Sequence, residues 1–558
     1  MAKKRDYKFI EEVPDEIIKK VGKYITNPLG TTFAIHDLPS ELTGGVLARY
    51  SRAPTGLVLT LVNEFLDENG DPSQEKGTEL MDRVLNAFGD DSVGELEGTA
   101  VGMEDVSQLL TKYIEDRRIG GSPIEQSTRY VKYDQKDKDG KWRFLRPKEI
   151  AESGLLPEFE RINNRAFEIY SEGIKRLSKH FEGEFPKEKF EIKIERDGKS
   201  VSAKEKDLIN DDERRAFRNG YNFTIRCAAL DVGRCVLPSS TLTHLGLGQA
   251  SNGRFYTNLI TFLKSQDLEE SRIRGQQLEE ELQKVIPTYV KRNREISEYA
   301  TINRNMRNLS AELFKDITPR DDRVTLVRRG EYIDEVVSSA LFPYSKISLQ
   351  QILDVVELLP EEKKLDILNA YKGKRETRRD RTGRGLEAGY PLVFDLVGGF
   401  AEYRDLERHR MLTQLRQMLS VDLGFIMPPE MGIIGLESET KEIVDMMSSL
   451  YHDVKNMSSD EVAQYTTLFN HRMRFMLGMN LREFQHLSEL RTQPAGHFSY
   501  RGMVMEMAEK VKEREPWTKT FYEFVDYSDP GNKISRAKEQ SKIAGKNLAS
   551  GIDGGIDL

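Results

Sequence analysis

The chain has 558 residues, 38% of them hydrophobic and 32% charged, with a formal net charge of −8. That length exceeds what one core usually supports, so two or more domains are expected, and the acidic balance argues against a general nucleic-acid binder. No run of about 18 apolar residues offers a membrane span, and "MAKKRDYKFIEEVPDEIIKK" has no apolar signal-peptide core, so a cytoplasmic protein is expected. Cys227 and Cys235, the two cysteines, have no partners at metal-ligand spacing and read as core thiols, not as a disulfide framework or a zinc site.

In chain order, "TTFAIHDL" from Thr31 reads as a strand, and "VLARYS" (Val46 to Ser51) opens an amphipathic segment. "DVSQLLTKYIEDRR", from Asp105, predicts a helix with Val106, Leu109, Leu110, Tyr113 and Ile114 on its apolar face, ended by Gly120 and Gly121. The loop "RRIGGSPIEQSTRY", Arg117 to Tyr130, then gathers anion-binding donors. A Gly-Gly turn exposes backbone N–H groups, and Ser122, Ser127, Arg117 and Arg129 add hydroxyls and guanidiniums that suit a phosphate, with Glu125 as an acceptor. The same composition also builds surface loops of intramolecular salt bridges. Asp134 to Arg215 is rich in charge and turns, "ERDG" being a hairpin candidate. "EISEYATINRNMRNLSAELFKDITPRDD" predicts a polar helix, "RVTLVRRG" and "YPLVFDLVGG" predict strands, and the tail from Asp526 has turn residues without apolar periodicity. The class expected is mixed α and β.

The chain repeats itself. "VLARYS" resembles "ALFPYS" (Ala340 to Ser345), and at nearly equal spacing each is followed by an arginine that closes an apolar run, Arg117 and Arg408. "SNGRFYTNLITFL" echoes "MNLREFQHLSEL", with Asn252 and Arg254 matching Asn480 and Arg482. Two tandem copies are expected, residues 1–300 and 301–525, each a sheet packed with long helices. The first carries an insertion at about 134–215, read as peripheral, and 526–558 is expected as a disordered tail. In "NLREFQHLSELRT", Asn480, Leu487 and Arg491 share one helical face and Arg482, His486 and Glu489 the next, a pattern open to ligand binding or to an exposed ion-pair lattice.

These motifs resemble those of the flavin-dependent thymidylate synthases, whose signature is Arg-His-Arg, seven residues, Ser, and then commonly Arg-Tyr. Each copy matches in part. Arg117, Ser122, Glu125, Ser127, Arg129 and Tyr130 fit in the first, where Arg118 and Ile119 replace His-Arg; Arg408, His409 and Arg410 fit in the second, where Met418 replaces the serine. "FGDDSVGELEGTAVGMEDVSQLL" and "DVGRCVLPSSTLTH" resemble the family's flanking segments.

The resemblance implies a dUMP site of Glu125, Gln126, Ser127, Thr128, Arg129, Arg234, Arg408 and Arg491, with Ser127 and Arg491 catalytic. It implies an FAD site of Ser92, Glu95, Asn252, Arg254, Asn258, Arg408, His409, Arg410, Asn480, Arg482 and His486. It further implies methylation of dUMP with methylenetetrahydrofolate and NADPH as co-substrates, without an attacking cysteine. In the family, sites form between subunits of a homotetramer, so a tandem chain is expected to dimerise into a pseudo-tetramer. Glu125, Ser127 and Arg129 joined to Arg408, His409, Arg410 and Arg491 make a nearly complete site, while Arg118 and Ile119 joined to Arg416 and Met418 do not, implying one FAD per chain. Two alternatives are another flavin-dependent pyrimidine nucleotide modification, such as hydroxymethylation, and a catalytically silent nucleotide-binding paralogue.

Overall fold

The computed structural model describes residues 2–4, 12–51, 53–73, 94–196, 199–291, 293, 296–374, 383–516, 518 and 524–549. Helices predominate beside several small sheets, a mixed α and β chain. It divides into two compact units, but these are not the two copies. The first comprises Met1–Glu104, Tyr113–Glu125 and His244–Ser297; the second comprises Asp105–Lys112, Gln126–Thr243 and Glu298–Leu558. The expected boundary near residue 300 therefore matches only where the first unit's last segment ends.

In the first unit, helices Asp15–Val21, Ser40–Tyr50 and Leu57–Phe65 bury Val21, Leu42, Val46, Val58, Leu61 and Phe65 together. "VLARYS" thus closes a helix where it was expected to open one, as does "ALFPYS" at the end of Tyr332–Leu341. Thr31 to Leu38 makes only an isolated bridge, Ile25 to Ile35, and no strand. Pro123–Glu125 pairs antiparallel with Leu245 to Leu247. Helix Gly253–Lys264 follows, its first turn capped by Asn252, whose Oδ1 accepts from Phe255 N at 2.8 Å.

In the second unit the sheet order is Thr413–Arg416, Arg472–Met479, Leu392–Gly399, Val324–Leu326, every neighbouring pair antiparallel. Asn480 then caps Leu481–Arg491 as Asn252 caps its counterpart, accepting from Glu483 N at 3.0 Å. The helix expected from Asp105 is shorter than its apolar pattern. Val101–Ser107 is a strand, Asp105 takes a φ of 51°, which an aspartate tolerates, and only Gln108–Glu115 is helical.

The insertion and the tail both depart from expectation. Helix Leu156–Glu184 buries Phe159, Ile162, Phe167, Tyr170, Ile174 and Leu177, and packs against Asp211–Gly233 and against Glu437–Met457 of the second copy. It is core. The hairpin Ile192–Arg196 with Lys199–Ala203 is present, its Asp-Gly turn lying outside the described residues. The tail contains helix Ala537–Ala549, while 550–558 lie outside the described residues.

The copies exchange backbone hydrogen bonds reciprocally. Ser239 N donates to Thr467 O at 2.8 Å and Phe469 N donates to Leu237 O at 2.9 Å, about the Pro238–Leu468 bridge. Matching positions of the two copies serve as donor and as acceptor, as across a twofold axis. The sheet also holds a fully buried ion pair, Arg474 Nη1 to Asp395 Oδ2 at 2.9 Å, and the same carboxylate oxygen accepts from Leu349 N at 2.7 Å. Arg474→Met leaves Asp395 without its buried counter-charge, and a loss of about 3–5 kcal/mol in chemical denaturation is expected.

Candidate functional site

Arg129 ends the donor-rich loop, and burial leaves its guanidinium 8% exposed. A charge that cannot be shed must be paired there. Nε and Nη2 grip Asp231 Oδ1 and Oδ2 at 2.8 and 2.9 Å, the planar fork matching the carboxylate. Nη2 also reaches Ala495 O at 3.3 Å, and Nη1 reaches the Tyr500 hydroxyl at 3.5 Å. Asp231 stands in the last turn of Asp211–Gly233, and three residues on Arg234 starts the turn Arg234–Val236.

Arg234 is 1% exposed. Its Nη1 donates to Thr128 Oγ1 at 3.2 Å and its Nη2 to Asp405 Oδ2 at 3.2 Å, while Arg404 Nη1 donates to the same threonine oxygen at 3.1 Å. Three guanidiniums therefore face two carboxylates. Burial opposes ionisation of Asp405, but Arg234 and then Arg129 outweigh it and hold the carboxyl well below its usual range. Asp231 is held low in the same way, by Arg129 against burial. His497 adds no charge: burial and Arg234 push it down to about 3. Its Nε2 donates to Asp231 O at 3.1 Å and its Nδ1 accepts from Ser499 N at 3.2 Å. The buried Arg234 Nε–H has no hydrogen-bond acceptor among the described residues. Such a donor is suited to an anionic ligand.

A second string of contacts leads to Arg491, at the end of Leu481–Arg491. Glu483 Oε1 accepts from His409 Nδ1 at 2.8 Å, and His409 Nε2 accepts from Arg491 Nε at 2.9 Å. Only a neutral imidazole can do both. Burial, and then the charge of Arg491, keep His409 below its ordinary value. The Arg491 guanidinium lies 5.9 Å from the Tyr500 ring centroid and that of Arg129 lies 6.0 Å from it, so the two arginines converge on one ring. The nearly complete pairing expected from the sequence thus comes together, in its Arg129, His409 and Arg491 part, inside a single chain.

The matching positions of the poorer pairing are occupied differently. Leu419 stands where Thr128 stands in the first copy, and Gln464 where Arg234 stands; both are buried. Gln464 Oε1 accepts from Leu419 N at 3.2 Å and its Nε2 donates to Glu461 O at 3.2 Å. An amide bonded to the main chain of Leu419 and Glu461 replaces the guanidinium hub. Met418 is half-buried and Ile119 is 74% exposed.

The remaining expected residues are dispersed. Ser127 Oγ accepts from Arg129 N at 3.2 Å and so shapes its own loop, and Gln126 O accepts from the Tyr133 hydroxyl at 3.2 Å. Glu125 is buried in the first unit's short strand. There also Arg254 pairs with Glu95, and Asn258 is exposed on the next turn. Arg408, Arg410, Asn480, Arg482 and His486 are exposed, the His486 ring 5.4 Å from that of His409. The side chains of Arg408 and Arg482 make no hydrogen bond to another described residue. Ser92 lies outside the described residues. Cys227 and Cys235 are buried free thiols, Cys227 pushed up to about 12 by burial.

Sequence reasoning did not single out Asp231, Arg404, Asp405, Glu483, His497 or Tyr500. Asp231 and Asp405 each lie three residues before an arginine already noted, Arg234 and Arg408, and that acid-to-arginine spacing was the available signal. Nothing local marks His497 or Tyr500.

Residues 47–288 and 393–517 match the family described as thymidylate synthase complementing protein. Similar full-length chains include UPF0159 proteins of Chlamydia muridarum, 32% identical over 94% of this chain and 97% of the relative, and of Chlamydia pneumoniae, 34% identical over 91% and 94%. Another is a UPF0159 protein of Thermoplasma acidophilum, 30% identical over 90% of this chain and 99% of the relative. A family match that falls in two blocks, one in each copy, is what a duplicated chain with complementary losses produces, and the protein belongs to the thymidylate synthase complementing family, the flavin-dependent thymidylate synthases.

Proposed function

We propose that the protein methylates dUMP to dTMP with methylenetetrahydrofolate as the carbon source and NADPH as the reductant, at one nucleotide site per chain. The observation that carries this reading is the convergence of Arg129 and Arg491 on Tyr500 beside the unsatisfied Arg234 N–H. The unsatisfied N–H of Arg234, whose Nη1 holds Thr128, suits a phosphate, and the Arg491 fork suits charge developing on a uracil carbonyl in the transition state. His409 keeps Arg491 turned by accepting its Nε–H, and Glu483 sets the His409 tautomer.

The exposed, unbonded guanidiniums of Arg408 and Arg482 beside His409 and His486 fit the phosphates and ring edge of a flavin, with Arg410 and Asn480 on the same surface. FAD bound there would supply the redox chemistry. Glu95, Asn252, Arg254 and Asn258 remain assigned to the flavin by the family resemblance. Leu419 and Gln464 support a single working site per chain, because they put a leucine and an amide where Thr128 and Arg234 supply a hydroxyl and a guanidinium. The pseudo-tetrameric dimer is retained as the assembly.

Arg129→Ala should weaken dUMP binding by about ten- to a hundredfold in calorimetry, the size of a charge-assisted contact of roughly 1.5–3 kcal/mol. An unchanged dissociation constant would remove the loop from the site. Co-expressing an Arg129→Ala chain with an Arg491→Ala chain should restore no turnover, since the two residues serve one site within a chain; recovery toward wild type would place them on different chains. A flavin titration should saturate at one FAD per chain. Turnover should also hold from neutral pH down past 6.5 and fall only below it, because a lowered His409 stays neutral and keeps accepting from Arg491 until the pH drops through its depressed pKa. A midpoint above 6.5 in the acid limb of kcat/KM would contradict the role given to His409.

A further inference from the structure

The segment after Asp526 is not needed by either copy's repeat pattern, yet it is docked onto the loop that carries Arg129. Arg536, one residue before helix Ala537–Ala549, donates from Nη2 to the Tyr130 hydroxyl at 2.7 Å. Its guanidinium carbon lies 4.6 Å from the Tyr130 ring centroid and 5.3 Å from that of Phe223, and those two rings are 5.4 Å apart. Its Nη1 donates to Ala495 O at 3.2 Å, the same carbonyl that accepts from Arg129 Nη2 at 3.3 Å. Arg536 makes no ion pair among the described residues. Its partners are the residue next to Arg129 and the acceptor that Arg129 itself uses.

The arm is held on both sides of this contact. Asp526 N donates to Thr492 Oγ1 at 3.0 Å, Arg501 Nη2 donates to Ser528 Oγ at 3.0 Å, and Ser535 Oγ donates to Pro494 O at 2.8 Å. Beyond Arg536 the helix lies against the strand Ile192–Arg196 and against Asp211–Gly233, the helix that bears Asp231. At Gly545 the helix approaches the Lys193 carbonyl so closely that no side chain has room. The insertion hairpin is therefore the berth of the arm.

We propose that the C-terminal arm, Asp526 to Ala549, is a positioning element for the Arg129–Tyr130 pair, that Arg536 is the residue through which it acts, and that the insertion hairpin exists to dock it. Its effect on nucleotide binding rests on the dUMP reading above; its effect on the loop does not.

The test uses the full-length chain with Arg536→Ala, Arg536→Lys, Arg129→Ala and the Arg129→Ala/Arg536→Ala double variant. Hydrogen exchange is read at residues 127–131, whose turn is closed by Tyr130 N and Val131 N on Ser127 O. Dissociation constants for dUMP and melting temperatures are measured alongside. Arg536→Ala should speed exchange in the loop and raise the dUMP dissociation constant about tenfold, the equivalent of one charged hydrogen bond, with melting unchanged. Arg536→Lys should recover part of both, keeping the charge over Tyr130. The double variant should bind no more weakly than Arg129→Ala, since Arg536 acts through Arg129. Unchanged loop exchange, or strictly additive losses, would overturn the proposal. If Arg536→Ala does not fold, Tyr130→Phe removes the same bond from the other side and should speed loop exchange likewise. A wild type that binds no dUMP, in which Arg536→Ala still loosens the loop, would sink the nucleotide reading and leave the arm's role standing.

Discussion

Burying a guanidinium is the constraint around which the second unit is arranged. Arginine keeps its proton under any condition a protein meets, so Arg129, Arg234 and Arg404 can be withdrawn from water only where acceptors wait for them. Asp231 and Asp405 supply the charge and Thr128 the shared oxygen. Each comes from a different element: the end of Asp211–Gly233, the helix Phe400–Leu406 and the donor-rich loop. Satisfying the arginines therefore requires these elements to converge, and the convergence brings Arg491 and Tyr500 to the same place. The network is held by its own ion pairs and still keeps one buried donor, Arg234 Nε–H, without an acceptor among the described residues.

Duplication explains how such a network could become one-sided. A symmetric pair of subunits must carry every residue twice, whether or not both sites are used. In this chain the reciprocal bonds about Pro238 and Leu468 keep the twofold joint while the residues on either side are free to differ. Thr128 and Arg234 build a polar hub; Leu419 and Gln464 fill the matching place with a leucine and an amide bonded to the main chain of Leu419 and Glu461. The joint itself is reinforced where the copies no longer match, by the buried pair Lys112 Nζ and Glu407 Oε2, 3.2 Å apart. On the proposed reading, one site per chain replaces two equal ones and the matching half serves as scaffold.

The repeat, the class and several elements were legible in the amino-acid sequence because they rest on local chemistry. Asn252 and Asn480 announce helices by their capping side chains, and "YPLVFDLVGG" and "RVTLVRRG" announce strands by their apolar runs. The donor-rich loop and the Arg-His-Arg segment marked a candidate site for the same reason, since clustered guanidiniums and hydroxyls are visible without a fold. Local pattern misled where a residue's neighbours in space decide its state. "TTFAIHDL" has a strand's composition but no partner strand along its length, and the run from Asp105 changes from strand to helix midway. Asp134 to Arg215 looked peripheral by charge, yet its long helix buries an apolar face against the second copy.

What the sequence by itself determined is the inventory: two divergent copies, one with the loop of Arg129 and the other with His409 and Arg491, each matching the family signature only in part. Which inventory entries meet was decided only in three dimensions. Contacts between residues hundreds of positions apart, such as Arg129 with Tyr500 or Arg536 with Tyr130, leave no periodicity to read. The protonation states follow from the same cause, because His409 and His497 are neutral through burial and neighbouring positive charge, and Asp231 and Asp405 are ionised by neighbouring guanidiniums that outweigh burial, none of which a local window contains.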